Sequence, residues 1–318
     1  MAHRIAVALD GSRFSEHGIP LARGIAERGG GELDLVTVAV ATPEEGGVLS
    51  AAPGDVGSRD FWIERASTYL AGEVRKLREE GFLGDVRTSV LSPGNAAQSI
   101  LQHLEAEGAD LVVLTTHGRG PWGRSWLGST ADAVLRGSTC PVLLVRPSES
   151  SGETEDASVL PRLQGSAPAA ERILVPLDGS DISSDLLKHL PLVQSADAEL
   201  LLLRVVPPFI PGGSPYLPHA LRDAEDHDRV VAHAKASLEA VAAKGIAGVG
   251  RVIPLVMTAG QPASAILEVA REWEVDLIAM STSGRGGVAR LLLGSVADKV
   301  IRGAFCPVLL NSAAPEAR

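Results

Sequence analysis

Short apolar runs alternate with helix-period segments along the whole chain, and the alternation runs through twice. Residues 4–9 are a β-rich apolar run that stops at Asp10, Gly11 and Ser12. Ile19, Leu21, Ala22 and Ile25 then recur at roughly helical spacing, with Ser12 or Ser15 able to cap and Gly29 to Gly31 as the stop. The pattern next predicts a strand over 33–40, a long helix over about 59–80 and a strand with alternating Val86, Thr88 and Val90. Pro93 and Gly94 turn the chain into a helix over 96–107, and a strand starts at Asp110. A helix ending near Gly137 and a fifth strand over 141–145 complete the series. Residues 41–58, rich in Gly, Pro, Ala and acid, read as a surface loop.

From Ser148 to Ala170 the composition turns to Ser, Glu, Gly, Ala and Pro, with Val159, Leu160 and Leu163 as the larger apolar residues. That is a linker with partial disorder. The programme then restarts: Arg172 to Ser180 repeats Arg4 to Ser12, and Cys306 to Leu310 repeats Cys140 to Leu144. A repeat of this length is a duplicated domain, not a solenoid unit. The expected organisation is therefore a domain over 1–147, a linker over 148–170, a second domain over 171–312 and a tail over 313–318. Continuous apolar strands alternating with helices imply an α/β fold, two tandem doubly wound domains with helices on both faces of a parallel sheet. Ligands of such sheets sit outside the C-terminal strand ends. Asp10, Thr115 and Gly118 all fall there.

The strand that starts at Asp110 runs into a glycine-rich loop and then a helix whose first turn is expected to carry Gly128 and Ser129. The strand from Asp276 does the same with Gly284, Gly294 and Ser295, and nine residues separate loop glycine from Gly-Ser in both copies. Such a loop presents backbone N–H groups beside a helix N-terminus, which suits a phosphate.

Composition narrows the field. With 29 basic and 39 acidic residues the formal charge is −10, which argues against a nucleic-acid partner, and aromatics at 3% leave little for base stacking. Two cysteines in 318 residues point to a reducing compartment, hence a cytoplasmic location. No signal-peptide pattern or membrane-length apolar run occurs.

An aspartate after the first strand, Gly-nine-Gly-Ser after the fourth, and Cys-Pro-Val-Leu-Leu at the fifth resemble the universal stress protein family in its tandem form. The likeness covers nearly all of both copies. It implies five-stranded sheets ordered 3-2-1-4-5 that bind ATP, with or without Mg²⁺, in a stress-response regulatory protein with slow or no hydrolysis. By the same likeness the first site would use Asp10 and the backbone near Val38 for adenosine. Leu114, Gly118, Gly128, Ser129 and Thr130 would line its adenosine and phosphate side. The second would use Asp178, Val205, Met280, Gly284, Gly294, Ser295 and Val296. The family's ATP-binding form has a glycine three residues before the loop glycine, and Thr115 and Ser281 stand there in this chain. In the family the fifth strands pair between domains, which implies that the two copies pair with each other here, with homodimers as a further state.

Competing motifs are weaker. Residues 118–123 fit GxGxxG and 284–289 its GxGxxA variant, but both follow a fourth strand, not the first strand of a βαβ unit. No Walker sequence, GxSxG elbow or HExxH pair occurs. His117 has Ser283 as its counterpart, so no histidine is common to both loops; Arg119 and Arg285 read as solvated side chains, and Cys140 and Cys306 as buried inert thiols. Three function classes remain: a nucleotide-binding regulator, a weak ATP hydrolase using Asp10 or Asp178, and a nucleotide-free scaffold. Steady turnover lost on removing both aspartates marks the second. ATP affinity gained on restoring glycine at 115 and 281 marks the third.

Overall fold

The computed structural model describes residues 3–39, 59–92, 94–116, 127–146, 170–180, 185–209, 224–282 and 293–311. The loop expected over 41–58, the linker up to 169, and Gly118 and Gly284 lie outside them, as do His117, Ser283, Arg119 and Arg285. The chain divides between 168 and 169 into two compact units.

In the first unit the elements are β1 (Arg4–Leu9), α1 (Arg13–Glu16), α2 (Gly18–Gly29), β2 (Glu32–Val38), α3 (Arg59–Glu79), β3 (Val86–Leu91), α4 (Ala96–Glu107), β4 (Leu111–Thr115), α5 (Ser129–Gly137) and β5 (Val142–Val145). The strands pair in parallel in the order β3-β2-β1-β4-β5. Gly30 stops α2 with φ at 61°, and Asn95 caps α4 by accepting from the Gln98 N–H. Val7 and Val113 face Gly18 of α2, where an added Cβ would lie 3.1 Å from Val113 Cγ1. Asp34 of β2 points the other way and bonds His103 of α4. So α2 and α4 cover opposite faces, and Trp62 and Ala66 of α3 pack on Ala39 and Val90.

The second unit holds β6 (Ala170–Pro176), a 3-10 helix (Leu186–Leu192), β7 (Gln194–Val206), α6 (Ala224–Ala243), β8 (Val249–Thr258), α7 (Pro262–Glu272), β9 (Leu277–Ser281), α8 (Ser295–Gly303) and β10 (Val308–Asn311). Its order, β8-β7-β6-β9-β10, is the first unit's 3-2-1-4-5 again, all parallel. Among the described residues one element departs from the repeat. Where the first unit has the α-helix α2, the second has a 3-10 helix with Pro191 inside it. Proline lacks the N–H and its ring clashes with the carbonyl four residues back, so the tighter, shorter helix replaces the regular one.

The N-terminal strand ends are tied alike in both units. Asp110 accepts the Arg4 N–H at 2.8 Å and Asp276 accepts that of Arg172 at 2.9 Å. Arg4 and Arg87 pair with Glu32 as Arg172 and Arg251 pair with Glu199. The aspartate that opens each signature strand therefore closes the sheet's lower edge, away from the C-terminal strand ends.

Candidate functional site

At the end of β1 the chain turns on Asp10. Its Oδ1 accepts from Ser12 N at 2.9 Å and from Ser12 Oγ at 2.5 Å, and Gly11 takes φ at 76°, which a side chain would strain. Ser12 in turn caps α1, accepting from the Ser15 N–H at 3.2 Å. The second unit repeats this turn: Asp178 Oδ1 accepts from Ser180 N at 2.9 Å and from Ser180 Oγ at 2.6 Å, with Gly179 at φ 79°. Each aspartate thus builds its turn with one oxygen, and the turn fixes a carboxylate at the strand end. Tyr69 of α3 holds α1 in place through Glu16 Oε1 at 3.4 Å. Burial, helped by the Glu16 carboxylate, drives the Tyr69 pKa far up, so the phenol stays a donor.

The strand-to-helix junction comes next. Thr116, just past β4, donates its N–H to Val145 O at 3.0 Å, and Gly128 N–H donates to Thr116 O at 3.1 Å. In the second unit Thr282 N–H donates to Asn311 O at 3.0 Å and Gly294 N–H to Thr282 O at 2.8 Å. The helix start is thereby pinned to the strand end. Gly128 and Gly294 are the N-caps, and Ser129 and Ser295 are the first helical residues. This corrects the expectation that Gly-Ser lies within the first turn: the glycine stands one position before it. Glycine is not used for its φ, which is −62° and −61° with ψ near that of a strand. It is used for close approach: a Cβ on Gly294 would stand 3.1 Å from Thr282 O.

No side chain caps either helix among the described residues, and the first N–H groups have no acceptor further back in the helix. They and the helix dipole face outward at the strand ends, which favours an anion. Asp132 and Asp298 lie in these first turns, but Arg136 and Arg302 bond them at 2.9 Å. Their charge is thus largely offset.

The strand registers show which of these groups meet. Leu9 pairs with Thr37, and Val7 with Val113. Carried to the strand ends, Asp10 leaves the sheet level with Val38 on one side and Thr116 on the other. The same holds for Asp178, Val205 and Thr282. Leu114 and Met280 are buried one residue before Thr115 and Ser281. Asp10, Val38, Leu114, Gly128, Ser129 and Thr130 therefore gather at one sheet end, as do Asp178, Val205, Met280, Gly294, Ser295 and Val296 at the other unit's. Thr115 is the last residue of β4, and its Cγ2 lies 4.0 Å from the Cβ position of Gly18. Its methyl is thus turned toward α2.

One charged residue escaped the pattern reading. Arg204 lies in the apolar run of β7, where its position corresponds to Thr37, and its Nη1 donates to Leu177 O at 3.0 Å. A lone guanidinium in a run of leucines and valines was its only signal in the sequence.

Cys140 and Cys306 are both buried before the fifth strands, at the opposite end of the sheets. Burial raises both thiol pKa values, that of Cys306 to about 12. Neither thiol is expected to react with a disulfide reagent at pH 8 while the protein is folded, and both should react within minutes in denaturant. Fast reaction of the native protein would contradict the burial. Among the described residues no cluster of metal-ligating side chains occurs, and no helix is long and apolar enough to cross a membrane.

A sequence profile of the universal stress protein family matches residues 1–146 and 170–311. The chain is 36% identical over 146 residues to universal stress protein MJ0531 of Methanocaldococcus jannaschii, covering 44% of this chain and 81% of that one. It is 27% identical over 262 residues to universal stress protein Rv2005c of Mycobacterium tuberculosis, covering 78% of each. The crystal structure of a universal stress protein from Archaeoglobus fulgidus superposes with a TM-score of 0.65 at 20% identity, over 99% of this chain and 97% of that one. That likeness extends the fold to both units. With two profile matches, one strand order repeated in both units and the same turn and junction in each, the chain belongs to the universal stress protein family as a tandem-domain member.

Proposed function

We propose that this protein is an ATP-binding regulator with one nucleotide cleft per domain and slow or no hydrolysis. The observation that carries the reading is the uncapped N-terminus of α5 and of α8, each pinned by a glycine to the strand end beside an aspartate. Phosphates would take the first-turn N–H groups with the hydroxyls of Ser129 and Thr130, or of Ser295 with the backbone of Val296. Gly118 and Gly284 would complete the loops. Adenosine would lie across Asp10, Val38 and Leu114, or across Asp178, Val205 and Met280. Mg²⁺, where present, would come in on the phosphates, since no cluster of protein ligands is found among the described residues. The two glycine-rich loops share no candidate general base in sequence, His117 being matched by Ser283, which favours a binding switch over an enzyme: ATP would stabilise whichever conformation it binds best. The domains would span 1–147 and 171–312 with a linker between them, and the buried thiols fit a reducing, cytoplasmic setting.

Freshly purified protein should release stoichiometric ATP on denaturation, identified by mass spectrometry. The variant Gly128→Val with Gly294→Val should release none, because a branched side chain fills the space where the glycine meets the strand-end carbonyl. Wild-type protein that carries no nucleotide and shows no calorimetric binding of ATP would leave the scaffold reading in its place.

A further inference from the structure

We infer that α3 sets the binding form of the first cleft, through a clamp of Tyr69, Glu73 and Lys76 on Glu16 of α1, and that the second cleft lacks the residues for it. This rests on the nucleotide reading above and adds to it a positioning residue, Tyr69. α1 is one turn long, and a single turn does not hold itself in place. Yet the Asp10 carboxylate depends on it. Ser15 Oγ accepts the Asp10 N–H at 3.3 Å and donates to Ser12 O at 2.8 Å. The Ser15 N–H donates to Ser12 Oγ, the same hydroxyl that donates to Asp10 Oδ1. A shift of α1 therefore turns the carboxylate.

The clamp comes from one side of α3, where Tyr69, Glu73 and Lys76 follow one another at helical spacing. Tyr69 is 6% exposed and Glu73 5%, so their polar atoms need partners within the protein. The Tyr69 phenol donates to Glu16 Oε1 at 3.4 Å. Lys76 Nζ donates to Glu73 Oε1 at 2.6 Å and lies 3.6 Å from Glu16 Oε2. Each Glu16 oxygen thus has its own partner on α3. Burial pushes the Glu73 carboxyl up, and the hydrogen bond from Lys76 opposes that rise. The second unit is built otherwise. Counted from the turn glycines Gly81 and Gly245, both at positive φ after their helices, Tyr69, Glu73 and Lys76 have His233, Ser237 and Ala240 of α6 in their places. All three are exposed. Counted from the aspartate of the turn, Glu16 has Ser184 in its place. The phenol, both carboxylates and the ammonium are thus exchanged together.

Calorimetric titration of ATP reads the first cleft alone in the Gly294→Val background and the second alone in Gly128→Val. Tyr69→Phe should lower first-cleft affinity about fivefold and leave the second cleft unchanged. Glu16→Ala should match it, whereas Glu16→Gln keeps an acceptor for the phenol and should retain most of the affinity. A tyrosine that acts by placing Asp10 has nothing left to place in Asp10→Ala, so Tyr69→Phe added there should cost no further affinity. An unchanged affinity in Tyr69→Phe overturns the inference. So does a loss that persists in Asp10→Ala, or one that appears equally in the second cleft, which would make Tyr69 a residue of general stability. A wild type that binds no ATP in either cleft overturns the nucleotide reading itself, and this inference with it.

Discussion

Asp34→Ala is expected to destabilise the first unit by about 3 kcal/mol, whereas the triple change Asp34→Leu, Ser89→Leu and His103→Val should cost less than about 1 kcal/mol. Asp34 is 1% exposed. Its two oxygens are taken by Ser89 Oγ and His103 Nε2, both at 2.7 Å, so alanine strands two polar groups in or near the core. The second unit has solved the same packing problem without charge. Register and repeat place Leu201, Leu255 and Val269 where the first unit has Asp34, Ser89 and His103. Leu201 and Val269 are fully buried. The three polar residues have therefore been exchanged as a set, as expected where each is tolerable only with the others. Urea unfolding of single, double and triple variants measures the coupling. Costs that add across the three sites would show that the groups act independently.

The repeat made most of the fold legible. Strands such as 4–9 and 172–177, each ended by Asp-Gly-Ser, could be read in order because both faces of a parallel strand are buried and the apolar run is continuous. What the pattern missed has a common cause: these features depend on a neighbour distant in the chain. The exception is the 3-10 helix over Leu186–Leu192, whose apolar residues suit an α-helix and whose signal, Pro191, lies within it. Gly128 and Gly294 looked like first-turn residues because spacing cannot tell an N-cap from the residue after it. Only their N–H bonds to Thr116 and Thr282 decide it. Arg204 was passed over because its meaning comes from Leu177, 27 residues earlier in the chain. The Asp-Gly-Ser turns and the Gly-Ser helix starts were legible in the sequence, whereas the bonds that join them to the strand ends were not.

The second large effect concerns Asp10, which has a structural role and a proposed ligand role that one pair of substitutions can separate. An asparagine keeps an Oδ1 acceptor for Ser12 N and Oγ, so Asp10→Asn should hold the turn and change stability by less than about 0.5 kcal/mol. Alanine loses both bonds and should cost about 1 kcal/mol. ATP affinity should follow a different order. Losing the negative charge weakens a charge-assisted bond to a ribose hydroxyl, so Asp10→Asn should lower first-cleft affinity about tenfold. Asp10→Ala also loosens the turn and α1 behind it, and about a hundredfold loss is expected. Both are measured by calorimetry in the Gly294→Val background, so that the second cleft is silent. Asp178→Asn and Asp178→Ala in the Gly128→Val background test the other copy, whose turn makes the same two bonds. If the asparagine variants bind ATP as tightly as the parent while the alanine variants only unfold more easily, the aspartates are turn builders alone. The nucleotide would then have to be held by the helix N-termini without them.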